Sequence, residues 1–145
     1  MNRRLKWIVI ALILVFLGVM IYKYYLAAPA PQQEIDSNVL SAEQEINSGL
    51  ENKESMWILF VSASCEPCAE MHEIFKQLKP KYSGKVKFIE VDVNDRANFK
   101  LVQQYKLQYV PTTFIVDSQG NTSYHNVGVI ALDRLQAELD RVVRQ

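Results

Sequence analysis

Two cysteines, two residues apart and set between an apolar run and an amphipathic stretch, constrain this chain more than any other feature. Cys65 and Cys68 are its only cysteines, with Glu66 and Pro67 between them, and this spacing is typical of a reversible disulfide or of half a zinc site. The apolar run before them, 56–61, has the length of a strand buried on both faces. Apolar residues after them recur at helical spacing, namely Cys68, Met71, Phe75 and Leu78. The sequence therefore predicts a strand, a turn that carries the cysteines, and a helix.

The predicted helix places Cys65 at its N-terminus. Unpaired backbone N–H groups and the positive end of the helix dipole stabilise a thiolate at that position. Pro67 is compatible with the first helical turn because the N–H that it lacks would have no helical partner. Cys65 is thus the candidate nucleophile, and Cys68, in the same turn, is the candidate resolving thiol.

A zinc site is the alternative use of such a cysteine pair. Zinc needs four ligands, and His72 and His125 are the only histidines in the chain. His72 follows Cys68 by four residues on the same predicted helical face, whereas His125 falls in a later predicted strand. Because this spacing fits no zinc-finger pattern, we expect no metal and interpret both histidines as surface residues.

The first 26 residues are predicted to form a single transmembrane helix that anchors the chain. Arg3, Arg4 and Lys6 precede an uncharged, mostly apolar run at 7–22. A helix of that length covers about 24 Å, slightly less than a hydrocarbon core of about 30 Å, and flanking lysine and aromatic side chains can supply the difference. The excess of positive charge before the run predicts a cytoplasmic N-terminus and an extracytoplasmic C-terminal domain, on the periplasmic or cell-surface side.

A cleaved signal peptide is the rival interpretation of this segment. The Ala-Pro-Ala sequence at 28–30 resembles a signal-peptidase site. Pro29 within it and Pro31 after it disfavour cleavage, so we expect a retained anchor. Residues 27–39 contain these prolines and no apolar periodicity, which predicts an extended tether. In either case the domain lies where a disulfide can persist.

Charge and length limit what the remaining chain can be. Beyond residue 26 it holds 12 basic and 16 acidic residues, and a mildly acidic domain without a basic patch gives no indication of nucleic-acid binding. About 105 residues, 40–145, are enough for one hydrophobic core and too few for two. We therefore predict one domain at 40–145.

Hydrophobic periodicity predicts the element order helix, strand, helix, strand, helix, hairpin, helix within that domain. Ser41 and Gln44 form a plausible capping box for the first helix, which is predicted to end around Gly49. Residues 86–93 alternate as a second strand. The order of elements predicts an α/β domain.

The second half of the domain adds a helix and a hairpin. Asp95 can cap a helix that carries Phe99, Val102 and Tyr105 toward the core. Residues 112–116 and 122–127 are predicted to pair as a β-hairpin. A final amphipathic helix completes the domain.

The domain resembles the thioredoxin fold, an α/β fold with a central mixed β-sheet flanked by helices. The resemblance rests on the strand–Cys-x-Pro-Cys–helix unit, on the stretch 105–112, and on Gly128 after the hairpin. It implies that the Val110–Pro111 peptide bond is cis and lies beside the cysteines. It also implies that Val110, Pro111 and Pro67 contact an extended substrate segment, which amounts physically to strand addition.

A closer resemblance is to the membrane-anchored reductants of cytochrome c maturation, the ResA-like group. The Cys-Glu-Pro-Cys motif and the anchor carry it, but Met71 stands where that group commonly has a glutamate. Relative to cytoplasmic thioredoxins, Ser64, Leu59 and Phe88 replace the expected tryptophan, buried aspartate and lysine. Both members of the buried pair are apolar, which avoids a single charge in the core.

The missing aspartate leaves the proton of Cys68 without the acceptor that the resemblance implies. Glu66 is the nearest candidate for proton transfer, and water is the alternative. Glu66 can equally be a solvated carboxylate whose charge only opposes the Cys65 thiolate.

Together these features predict an extracytoplasmic, membrane-tethered protein disulfide oxidoreductase with no cofactor beyond the Cys65–Cys68 disulfide. The resemblance favours a reductant of protein disulfides, recharged by an integral-membrane thiol donor, although the sequence does not fix the direction of electron flow. A disulfide oxidase or isomerase stays an open alternative. So does an adaptor whose disulfide is static and whose Val110–Pro111 edge binds a partner.

Overall fold

The computed structural model describes residues 3–26 and 40–144, and it separates into two units, Met1–Val39 and Leu40–Gln145. Helix α1 (Arg3–Leu26) belongs to the first unit. Within the described residues, no helix is both long enough and apolar enough to cross a membrane, so the predicted transmembrane helix is not shown. The predicted tether at 27–39, with its Ala-Pro-Ala sequence, lies outside the described residues.

A four-stranded mixed sheet forms the centre of the second unit. Its strands are β1 (Ser55–Val61), β2 (Val86–Asp92), β3 (Thr112–Val116) and β4 (Thr122–Val127). They lie in the order β2-β1-β3-β4. The β1/β2 pair is parallel, whereas the β1/β3 and β3/β4 pairs are antiparallel. The predicted mixed sheet and hairpin are confirmed.

Four helices cover the two faces of this sheet. They are α2 (Ala42–Glu51), α3 (Glu66–Leu78), α4 (Phe99–Gln104) and α5 (Leu132–Val143). Helices α3 and α5 supply the core on one face, and α2 and α4 supply the core on the other. The α/β arrangement of a sheet flanked by helices is therefore also confirmed.

Strand β1 runs through the middle of the sheet and is buried on both faces. Trp57 and Leu59 belong to the core shared with α3 and α5, and Met56, Ile58 and Phe60 belong to the core shared with α2 and α4. A strand covered on both faces gains by being apolar throughout. This is why 56–61 contains no polar residue.

Gly49 lies inside helix α2 rather than at its end. The capping box at the start of α2 is present, since Ser41 Oγ accepts the Gln44 N–H at 3.3 Å and Gln44 Oε1 accepts the Ser41 N–H at 2.9 Å. The helix continues past Gly49 to Glu51. A Cβ atom at residue 49 would collide with the Met56 side chain. Close packing of helix on strand, and not a helix end, explains this glycine.

Helix α4 presents a different face to the core from the one predicted. Asp95 caps as expected by accepting the Ala97 N–H at 2.9 Å, but it caps a 3-10 turn, Arg96–Asn98, that precedes α4. The extra turn changes the helical phase, so that Leu101 is buried and Phe99 is exposed. The prediction that Phe99 faces the core was wrong.

Candidate active site

The chain passes from strand β1 into helix α3 at the cysteine motif. Cys65 is the N-cap residue of α3, with extended backbone angles, and its Sγ accepts the Cys68 N–H at 3.2 Å. Glu66 and Pro67 form the first helical positions. The predicted placement of Cys65 at a helix N-terminus is confirmed, and a backbone N–H group already points at its sulfur.

The two cysteines differ in accessibility. They are joined by a disulfide, with Cα atoms 5.2 Å apart. Cys65 is half-buried, whereas Cys68 is only 3% exposed. A sulfur atom that solvent reaches can meet an external disulfide, and one that is covered can exchange only within the protein. This asymmetry suits Cys65 to attack and Cys68 to resolve.

The loop before strand β3 brings a backbone carbonyl to Cys65. The Val110–Pro111 peptide bond is cis, as the resemblance implied. The carbonyl oxygen of Val110 lies 3.6 Å from Cys65 Sγ. Gly128 fixes the loop from the end of β4, because its N–H donates to the Pro111 carbonyl at 2.8 Å. Val110 and Pro111 are thus placed beside the reactive sulfur, and the backbone of Gly128 helps to hold them there.

A cavity of about 270 Å³ lies on another side of the disulfide. Cys65 and Cys68 line it together with the polar side chains of His72, Glu90 and Asp92. His72 Nδ1 lies 2.6 Å from Glu90 Oε2. The cavity therefore brings an imidazole–carboxylate pair to the same space as both sulfurs.

The sequence did not reveal this pair. His72 was interpreted as a surface residue, and its side chain is 40% exposed, but no feature of the sequence indicated that Glu90 on strand β2 would lie within hydrogen-bond distance of it. The other histidine, His125, is exposed and stacks on Phe114 with ring centroids 4.4 Å apart. The available signal was the four-residue spacing of Cys68 and His72, which puts both on one helical face. The partner on β2 could not be assigned without the strand register.

Glu66 lies elsewhere. It is exposed in the first turn of α3, and it is not among the described residues that line the cavity. Its predicted role in proton transfer stays a prediction. Pro67 is likewise exposed in this turn, where an approaching substrate can contact it.

The core beneath the motif is apolar, as the sequence predicted from Leu59 and Phe88. Both side chains are buried, at 0% and 8% exposure, in the core between the sheet and helices α3 and α5. Trp57 packs edge-on against Phe88, with centroids 5.0 Å apart. Because both positions carry apolar side chains, neither places an unpaired charge in the core.

In the part of the chain that the structure describes, no three His, Cys, Asp or Glu side chains are grouped so that they could hold a metal ion. The disulfide, the N-cap position and the adjacent carbonyl are the parts from which thiol–disulfide exchange can be built.

Comparison with known proteins gives a family for this arrangement. The thioredoxin family model matches residues 37–141, a range that contains the cysteine motif, the Val110–Pro111 loop and all four strands. A comparison with curated proteins gives no match. The chain therefore belongs to the thioredoxin family, and it carries the Cys65–Cys68 pair at the Cys-x-x-Cys spacing.

Proposed function

We propose that the protein is a thiol–disulfide oxidoreductase that reduces disulfides in other proteins. The observation that carries the proposal is the unequal burial of two cysteines in one helical turn, with the accessible one 3.6 Å from the Val110 carbonyl. A half-buried but accessible nucleophile, backed by a covered resolving thiol, is what a two-step exchange needs.

The first step uses Cys65. In the dithiol form, its thiolate attacks one sulfur of a substrate disulfide, the substrate S–S bond breaks, and the other substrate sulfur leaves as a thiolate. A mixed disulfide now joins Cys65 to the substrate. The helix N-terminus stabilises the attacking thiolate through the Cys68 N–H.

The second step uses Cys68. Its thiol loses a proton and attacks Cys65 Sγ, the mixed disulfide breaks, and the second substrate sulfur leaves. The substrate has gained two electrons and two protons, and the protein holds the Cys65–Cys68 disulfide. An external thiol donor must reduce that disulfide before the next cycle, and we propose an integral-membrane thiol protein for this role.

Substrate is proposed to bind as an extended segment along Val110 and Pro111. The proximity of the Val110 backbone to Cys65 Sγ supports this, since a segment that pairs with this backbone would carry its own sulfur toward Cys65. Backbone pairing reads the shape of a chain more than its sequence. We therefore propose unfolded or extended protein segments as substrates, with apocytochrome c as one example suggested by the Cys-Glu-Pro-Cys motif.

Residues 1–26 are proposed to hold the domain at a membrane, with the domain on the extracytoplasmic side. Support comes from the sequence, in which Arg3, Arg4 and Lys6 precede the apolar run at 7–22. The apolar side chains described in α1 are exposed, for example Leu12 and Phe16 at 65% and 67%. A membrane-impermeant maleimide applied to intact cells after mild reduction tests this. Labelling of Cys65 supports an extracytoplasmic domain, and labelling only after lysis contradicts it.

The catalytic proposal is tested by reduction of insulin disulfides with dithiothreitol as the electron source. The purified full chain should accelerate insulin reduction, Cys65→Ser should not, and His125→Gln, a change at the exposed histidine, should match the wild type. No acceleration by the wild-type chain would overturn the proposal and favour the adaptor with a static disulfide.

The direction of electron flow is tested in cells by acid quenching and thiol alkylation. A largely reduced Cys65–Cys68 pair supports a reductant, because a donor must maintain that state in an oxidising compartment. A fully oxidised pair, combined with activity toward insulin, would instead favour an oxidase.

A further inference from the structure

We infer that His72, oriented by Glu90, accepts the proton that Cys68 loses when it resolves the mixed disulfide. This inference rests on the proposed function and assigns a step within it that the cysteines do not explain. A buried thiol is a poor nucleophile until it is deprotonated. Cys68 is 3% exposed, so bulk water is an inefficient acceptor for its proton.

Helix geometry brings His72 to Cys68. The two residues are four apart on α3, so their side chains emerge one above the other, with Cβ atoms about 5–6 Å apart. Both side chains line the same 270 Å³ cavity. A proton can therefore pass between Cys68 and the imidazole within this space, directly or through one water molecule.

The sheet places Glu90 on the face that helix α3 covers. Glu90 on β2 is the register partner of Leu59 on β1, and directly paired residues of neighbouring strands point to the same face of the sheet. That face is the one covered by α3, because Leu59 packs there with Met71. Position 59 thus lacks the carboxylate that the family resemblance implies, but Glu90 supplies one at the paired position on the neighbouring strand.

The hydrogen bond assigns the roles of the two ring nitrogens. His72 Nδ1 faces Glu90 Oε2 at 2.6 Å, so the neutral ring carries its proton on Nδ1 and leaves Nε2 as the acceptor. Glu90 then acts as a positioning residue that fixes this tautomer. It also stabilises the imidazolium that forms after transfer, as carboxylates do beside catalytic histidines.

The charges around the cavity favour the same assignment. Among the described residues that line it, the ionisable side chains besides the cysteines are His72, Glu90 and Asp92. On α3 itself, Glu70 is exposed, and Glu73 and Lys76 pair with each other at 3.2 Å and are also exposed. Of the described side chains that line the cavity, two are carboxylates and none is a lysine or an arginine.

In the resolving step, each bond that forms is matched by one that breaks. The proton of Cys68 passes to His72 Nε2, the Cys68 thiolate bonds to Cys65 Sγ, and the bond from Cys65 to the substrate sulfur breaks. The substrate sulfur leaves with the electron pair of that bond and takes up a proton from the imidazolium or from solvent. His72 returns to its neutral form with no net change.

The test isolates the resolving step. The reduced full chain is mixed with one equivalent of Ellman's reagent, and the release of thionitrobenzoate is followed by stopped-flow absorbance. The first release reports attack by Cys65, and the second reports resolution by Cys68. The experiment is run from about pH 6 to about pH 9, across the ordinary thiol value of about 8.5, for the wild type, His72→Gln, Glu90→Gln and His125→Gln.

We expect His72→Gln to slow the second release by roughly tenfold or more near neutral pH. The rates of variant and wild type should converge at the alkaline end, where Cys68 ionises without help. Glu90→Gln should show a smaller version of the same pH-dependent loss, because the glutamine amide oxygen can still accept the hydrogen bond from His72 Nδ1 but carries no charge. His125→Gln should behave as the wild type, and the first release should be unchanged throughout.

Two results would overturn the inference and leave the proposed function intact. One is an unchanged second release in His72→Gln. The other is slowing by the same factor at every pH, which a purely structural role would produce. A wild-type chain with no second release would contradict the proposed function itself, and with it this inference.

Discussion

Helix α3 has a reactive end and a packed end, and the side chains around the two ends differ in polarity and in exposure to solvent. At the N-terminal end, Cys65 is half-buried and shares a cavity with His72 and Glu90. At the other end, Phe75 and Leu78 are 5% and 1% exposed. The same helix therefore changes from a solvent-accessible site to a closed core within about three turns.

Several aromatic side chains pack together at the packed end. Phe75 lies 4.9 Å from Trp57 and 5.0 Å from Phe88 between ring centroids, and Tyr82 joins the same core beyond the helix. Rings at these distances in tilted or edge-on arrangements are favourable beyond the area that they bury. This anchorage fixes the direction of α3 and so the position of its N-terminus. Changes at the packed end should alter stability, and changes at the reactive end should alter chemistry.

Phe75→Ala is the strongest way to break the packed end. Removing the ring leaves a cavity among Trp57 and Phe88, and we expect the free energy of unfolding to fall by about 3–5 kcal/mol. Urea unfolding measures this. Phe99→Ala removes a ring of the same size that is 62% exposed, and it should change stability by less than about 0.5 kcal/mol. Equal losses in the two variants would contradict the assignment of the core.

Tyr82→Phe probes the same region with a smaller change. The Tyr82 hydroxyl donates to Asp140 Oδ1 at 2.7 Å. Because Asp140 is exposed and can be hydrated, losing this bond should cost about 1 kcal/mol in the free energy of unfolding. Tyr109→Phe, at an exposed ring, is the matched control and should have no effect.

Tyr82 also predicts how stability depends on alkaline pH. Burial, with a contribution from the hydrogen bond to Asp140, raises the pKa of Tyr82 to about 12, whereas an unfolded chain has a tyrosine pKa of about 10. The neutral phenol is thus favoured by folding, so its contribution is complete below about pH 10 and is lost as the pH rises toward 12. Tyr82→Phe should lack this part of the alkaline loss. A variant whose stability falls as steeply as the wild type across that window would refute the assignment.

Glu66→Gln tests the reactive end through the pKa of the Cys65 thiol, and we expect its effect to be the smallest of these variants. The Glu66 carboxylate lies in the first turn of α3, next to Cys65 in the sequence. A negative charge near a thiolate disfavours it, so removing the charge should lower the pKa of the Cys65 thiol. Thiolate absorbance against pH, measured in a Cys68→Ser background where one thiol titrates, reports the change. Glu70→Gln, further along the helix, should shift the pKa less. An unchanged Cys65 pKa would show that the charge of Glu66 does not influence the thiol, and a higher pKa would contradict the predicted direction.

Prediction from sequence succeeded where local spacing determines the structure. Three features depend on residues that lie close together in the sequence: the apolar run of β1, the Cys65 N-cap and the capping box at Ser41. The cis Val110–Pro111 bond lies far from the cysteines in the sequence, and it was predicted only through the family resemblance. Local patterns and a known motif together were enough for the fold and for the cysteine side of the site.

Prediction failed where the result depends on how separate elements meet. Gly49 was taken for a helix end because the side chain of Met56, on the neighbouring strand, could not be foreseen. Phe99 was placed inward because a 3-10 turn before α4 changed its phase. The pairing of His72 with Glu90 needed the register of β2 against β1. The Gly49 contact and the His72–Glu90 pair depend on distances between different elements, whereas the error at Phe99 came from the local form of the turn before α4.

The measurement that tests the central claim most directly is identification of the cysteine that carries trapped substrate. The full chain with Cys68→Ser is expressed in cells, thiols are blocked by alkylation, and mixed disulfides are isolated and mapped by peptide mass spectrometry. We predict protein partners joined to Cys65, and none captured by the matched Cys65→Ser chain. Absence of partners on Cys65, or equal capture through Cys68 in the Cys65→Ser chain, would contradict the assignment of Cys65 as the attacking sulfur and Cys68 as the resolving one.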